Sequence, residues 1–99
     1  RGYLGLVGQL VNLTERMIAA NRLELRTGVY ISEVEADVPA YNSELHSGDI
    51  IVGFNDHPIG SVDDLHKQLN EKTIGQRITM QVLRGGHKAT VAVIPGEMR

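Results

Sequence analysis

Residues 78–93 read ITMQVLRGGHKATVAV, and no other stretch leaves so little freedom in what the chain can fold into. Ile78, Met80 and Val82 alternate along one run, and Ala89, Val91 and Val93 alternate back along the next. Between them, Gly85-Gly86 suit a two-residue primed turn, which requires positive φ. The pattern predicts a β-hairpin with one buried face. A lone hairpin is marginal in water, so the remainder of the chain has to cover that face. Ninety-nine residues suit one domain with one modest core and exclude a second.

The covering elements follow from local signals. The opening run, Tyr3, Leu4, Leu6, Val7, Leu10 and Val11, is apolar and strand-like but broken by glycines at 2, 5 and 8. Asn12-Leu13-Thr14-Glu15 has capping-box spacing, and Leu13, Met17 and Ile18 then share a face, so a helix is expected over about 13–21. VYISEV after Gly28 alternates as a strand, and IIVGFN forms another, followed by a turn at NDHP. In DVPAYNSELHSGD, Pro39 suits a first helical position, Ala40 and Leu45 face inward and Gly48 is a stop, predicting one or two helical turns. Ser61 caps a further helix with Asp64 three residues on; Val62, Leu65 and Leu69 form its apolar stripe, and it ends near Lys72. The sum is an α+β domain: five to six strands in a small half-open barrel or sandwich, capped by two to three short helices.

Several chemistries are excluded. A net charge of −2, one Phe, three Tyr and no Trp provide neither a phosphate-neutralising face nor a stacking platform, so nucleic acid is not an expected partner. The longest apolar runs fall far short of a membrane span, and no membrane contact by this domain is expected. Without cysteine there is no disulfide framework or thiolate site. His46, His57, His66 and His87 show no metal-ligand spacing, so no metal and no cofactor is expected. Ser47 in HSGD lacks the preceding Gly-Asp of a serine protease nucleophile, and LRGGHK lacks phosphate-loop spacing; no catalytic residue is assigned. Glu33, Glu35 and Asp37 read as a solvated strand edge. The chain starts inside structured-looking sequence with neither Met nor signal peptide, and is expected to be a domain, residues 1–99, taken from a longer protein.

YLGL at 3–6, SGDIIVGFN at 47–55 and SVDDLHKQL at 61–69 together resemble the PDZ domains of the HtrA/Deg family of trypsin-like serine proteases. The resemblance spans nearly the whole chain. RGYLG at its start matches the permuted strand order of protease PDZ domains. The chain departs from the family at Val38-Pro39-Ala40, Ser43-Glu44-Leu45 and Asn55-Asp56, where Ser-Pro-Ala, Ala-Gly-Leu and Asn-Gly are frequent.

The resemblance implies a PDZ-like fold and a peptide-binding role, and gives the glycines a purpose. A glycine loop can point successive amides into one concavity, an anion-binding nest. Tyr3, Leu4, Gly5 and Leu6, with Arg1 beside them, would hold a peptide C-terminal carboxylate. The strand carrying Leu6, Val7, Gly8 and Leu10 would pair with the peptide, and Val62, Leu65, His66 and Leu69 would form the opposite wall. The implied partners are C-termini of unfolded or substrate proteins with an apolar last residue, and a parent protease domain in an extracytoplasmic compartment. The domain itself would not be an enzyme. Two alternatives remain: a PDZ domain of a C-terminal processing or membrane metalloprotease, and a scaffold domain supporting oligomer contacts.

Overall fold

The computed structural model describes residues 2–35, 42 and 44–97. The predicted hairpin is its backbone: β6 (Ile78–Arg84) and β7 (His87–Val93) pair in unbroken register from Ile78 opposite Val93 to Arg84 opposite His87. Gly85 and Gly86 both take positive φ, +60° and +80°, as a primed turn requires. The hairpin extends through β4 (Ile50–Phe54) and β3 (Thr27–Val34) to β2 (Leu6–Asn12), giving the antiparallel order β2-β3-β4-β6-β7. The sheet does not close on itself, in keeping with the half-open architecture expected. Asn55 and Asp56 turn the chain at φ +51° and +68°, a conformation their short polar side chains tolerate, so the departure from Asn-Gly costs little. β5 (His57–Pro58) then pairs back on β4. A separate ribbon joins β1 (Gly2–Tyr3) to β8 (Gly96–Glu97).

Inward residues of β3, β4, β6 and β7, among them Val29, Ile31, Ile51, Phe54, Met80, Val82 and Val93, are almost fully excluded from solvent. They form one cluster with Leu4, Leu45, Ile59, Leu65 and Leu69, which arrive from loops and from helix α2 (Val62–Gln68).

Two helices flank the sheet among the described residues, α1 (Glu15–Asn21) and α2. The cap of α1 is Thr14, whose hydroxyl accepts from the Met17 amide at 3.1 Å, and not Asn12. The reason is tertiary: Asn12 still pairs with Thr27 in the sheet, and the Leu13 amide donates to the Arg26 carbonyl at 2.9 Å. Ser61 caps α2 as expected, accepting from the Asp64 amide at 3.1 Å. The Asp64 carboxylate in turn accepts from the Gly60 amide at 2.8 Å, and the Thr27 hydroxyl donates to the Gly60 carbonyl at 2.7 Å, which fixes the helix start to β3. α2 ends at Gln68 rather than near Lys72; the Asn70 side chain accepts from the Lys72 amide and donates to the Lys67 carbonyl, terminating the helix. Of the turns expected over DVPAYNSELHSGD, residues 37–41 and 43 lie outside the described residues. The remainder is a turn closed by Leu45 to Asn42 at 3.1 Å and Asp49 to His46 at 3.1 Å.

Candidate peptide-binding groove

Among the described residues, β2 lies at one end of the sheet and pairs only with β3. Beside its other edge stands α2, and the space between them is a cavity of about 220 Å³. Leu6 and Gly8 line it from β2, Val62, Leu65 and His66 from α2, Leu69 from the C-cap of α2, and Val29 from β3. Leu65, Leu69 and Val29 belong to the core cluster, so the groove floor is also the margin of the core.

Gly8 leaves room for this floor. A Cβ at that position would fall 2.6 Å from Val29 Cγ1, closer than carbon atoms pack. Val7 and Leu10, expected in the groove, are 49% and 55% exposed and stand outside its lining. Val7 alternates with Leu6 and Gly8 and so points to the other face. Arg1 lies outside the described residues.

One end of the groove is formed by Gly2, Tyr3 and Leu4. Gly5 turns the chain there at φ +69°, where a Cβ would be strained. Gly2 abuts the C-terminus of α2: its amide donates to the Leu69 carbonyl at 3.3 Å, and a Cβ on residue 2 would sit 2.5 Å from Leu69 Cβ. Two of the three opening glycines thus answer to close approach by a neighbour, and the third to backbone direction.

Two contacts at this end were not expected. The Tyr3 hydroxyl donates to Glu35 Oε1 at 2.6 Å, and the Glu35 amide donates to the Gly5 carbonyl at 2.7 Å. Glu35 is therefore not a solvated edge residue like Glu33. Its bond to Tyr3 stabilises the protonated phenol and pushes the Tyr3 pKa up, with burial and the neighbouring negative charge acting in the same direction. Thirty-two residues separate the pair, and no local pattern signals it. Gly2 and Val29 also join the groove lining without having been singled out for it; Val29 showed only as an inward strand position.

Residues 2–94 match the PDZ domain family model. The chain belongs to the PDZ domain family, and its relatives are serine proteases of the DegP/HtrA type. It is 29% identical over 91 residues to the periplasmic serine endoprotease DegP of Escherichia coli, covering 92% of this chain and 19% of that protein. It is 32% identical over 98 residues to a probable periplasmic serine endoprotease, DegP-like, of Hahella chejuensis, covering 99% of this chain and 20% of that protein. The chain thus spans about a fifth of the length of these relatives.

In fold it is similar to the HtrA3 PDZ domain bound to a phage-derived ligand, FGRWV, with a TM-score of 0.67 at 21% identity, covering 96% of this chain and 85% of that one. It is likewise similar to the HtrA-type protease AlgW with a decapeptide, with a TM-score of 0.70 at 24% identity, covering all of this chain and 30% of that one.

Proposed function

We propose that this domain is a peptide-recognition module that takes the apolar C-terminus of an extended chain into the groove between β2 and α2. The observation that carries it is an unpaired strand edge facing an apolar cavity with a glycine turn at its end. A peptide laid along β2 gains main-chain hydrogen bonds as an added strand, and its last side chain enters the cavity. The amides of Leu4, Gly5 and Leu6 hold its terminal carboxylate. Leu4, Leu6, Leu65 and Leu69 receive a small or medium apolar last residue, with Val62 and His66 along the wall. The DegP-type relatives support a setting in which the domain presents or reports substrates to the catalytic domain of an extracytoplasmic serine endopeptidase, chemistry that this chain does not itself supply.

The test is an NMR and calorimetric titration with matched peptides ending in Val or Leu, as free acid or as amide. One apolar anchor plus strand pairing, offset by association costs, gives a Kd on the order of 1–100 μM for the free acid. Shifts should map to residues 4–10 and 62–69. The amide should bind at least about tenfold more weakly, since it removes a charge and presents donors to donors; tenfold is about 1.4 kcal/mol, less than one charge-assisted hydrogen bond. Affinities within about twofold of one another, or shifts centred on the turn at 85–88, overturn the assignment.

A further inference from the structure

Glu35 directly follows β3 and meets the glycine turn at two points. Its amide donates to the Gly5 carbonyl at 2.7 Å and its carboxylate accepts from the Tyr3 hydroxyl at 2.6 Å. The two contacts bracket Leu4, whose side chain is buried in the core. On the opposite flank, the Gly2 amide is tied to the Leu69 carbonyl at 3.3 Å. The turn is thus strung between the end of β3 and the end of α2. Tyr3 lines the groove, so the phenol–carboxylate bond lies at the site's margin rather than in the core.

A turn that must aim several amides at one oxygen pair depends on the orientation of its peptide planes, because hydrogen bonds weaken steeply as they bend. Gly5 makes the turn possible but leaves it loose, since glycine has the most backbone freedom to lose. Preorganisation requires that the turn be held on both sides of Gly5, and Glu35 bears on both: its amide fixes the Gly5–Leu6 plane through the Gly5 carbonyl, and its carboxylate anchors the Tyr3 side chain two residues earlier.

We propose that Glu35 is a positioning residue for the carboxylate-binding turn: acting through the Tyr3 hydroxyl and the Gly5 carbonyl, it holds Tyr3–Leu6 in the geometry that tells a free peptide C-terminus from a blocked one. This rests on the peptide-binding function proposed above. What the turn needs from residue 35 is an acceptor oxygen rather than a negative charge. A glutamine oxygen can accept the same phenolic hydrogen bond.

The experiment measures, for wild type and variants, the ratio of affinities for a free-acid peptide and its C-terminal amide, together with the melting temperature. Wild type should favour the acid by at least about tenfold. Glu35→Ala and Tyr3→Phe should each cut that ratio to about threefold or less, and the double variant should be no worse than Glu35→Ala alone, because both remove the same bond. Glu35→Gln should restore the ratio to within about twofold of wild type. General weakening of the fold would lower both affinities together and leave the ratio intact. Should Glu35→Ala fail to fold, the Tyr3→Phe and Glu35→Gln pair decides. A ratio kept in Tyr3→Phe, or lost in Glu35→Gln, overturns the proposal while the groove assignment stands. Equal binding of acid and amide by wild type overturns both.

Discussion

The Ala92 amide donates to the Glu44 carboxylate at 3.0 Å, closing the outer edge of β7 with a side chain instead of a strand. The Lys88 and Ile94 amides are treated alike, donating to Asn21 Oδ1 at 3.1 Å and Asn42 Oδ1 at 2.7 Å. An unpaired edge invites association with other chains. Here one end of the sheet is occupied by three side-chain acceptors, one from α1 and two from the turn before β4, while the other faces the groove. Glu44 stands where related domains often carry glycine, and it has a structural task.

Replacing Glu44 with Ala is expected to lower stability by about 1 kcal/mol, the usual net worth of such a bond, in urea denaturation. Glu44→Gln, which keeps an acceptor oxygen, should lose less than half of that. Equal losses would show that charge, and not the edge bond, is what Glu44 contributes.

Asp49 is expected to link stability to pH on the acid side. It is 2% exposed and accepts from Arg84 Nε at 2.9 Å, from Arg84 Nη2 at 2.7 Å and from the His46 amide at 3.0 Å. Burial alone would push its carboxyl up, but the Arg84 and His46 hydrogen bonds outweigh burial and hold it below the usual carboxylate value. A folded-state pKa below the unfolded one means that this stabilisation is complete above about pH 4 and is lost as pH falls through the lower, folded value. Asp49→Asn should cost about 1–3 kcal/mol at pH 7 and flatten the decline in acid. Arg84→Met should also cost stability at pH 7, because it leaves the buried carboxylate without its charged partner; by raising the Asp49 pKa toward or above its unfolded value it should shrink or reverse the Asp49-linked decline in acid. Denaturation midpoints from pH 3 to 7 for the three proteins check both signs.

Leu69→Asp places a carboxylate at the edge of the core, where the peptide's own carboxylate arrives. Binding should be lost, and stability should drop by about 2 kcal/mol or more. Lys67, exposed one turn-step away, should tolerate Ala within about 0.5 kcal/mol and with unchanged peptide affinity. Calorimetry and melting curves on the two variants suffice; similar effects from both would mean that the groove face of α2 has been misassigned.

Gly8 and Val29 should behave as a coupled pair. Gly8→Ala brings a methyl to 2.6 Å from Val29 Cγ1, and overpacking of this kind costs about 1–3 kcal/mol. Val29→Ala alone creates a void beneath the groove. In the double variant the added methyl takes space that Val29 gives up, so the combined loss should be smaller than the sum of the single losses by at least about 0.5 kcal/mol in a double-mutant cycle. Strict additivity would show that β2 simply shifts away.

Sequence alone determined the elements whose signals are local. The alternation of Ile78, Met80 and Val82 and the glycine pair at 85–86 specify a hairpin because strand period and turn chemistry act over a few residues. Ser61 and Asp64 mark the start of α2 for the same reason. The chain's resemblance to PDZ domains rested on three such short stretches and carried the fold with it. Tertiary structure decided wherever a distant partner outbid a local preference. Asn12 remains in β2 because Thr27 pairs with it, so the helix cap passes to Thr14. Gly2 and Gly8 are small because Leu69 and Val29 approach them, and Glu35 is half-buried against Tyr3 rather than free in solvent. Val7 and Leu10 are as apolar as Leu6, yet only Leu6 lines the groove. Pleat and neighbouring elements assign side chains to a cavity, and hydrophobicity does not report where those elements lie.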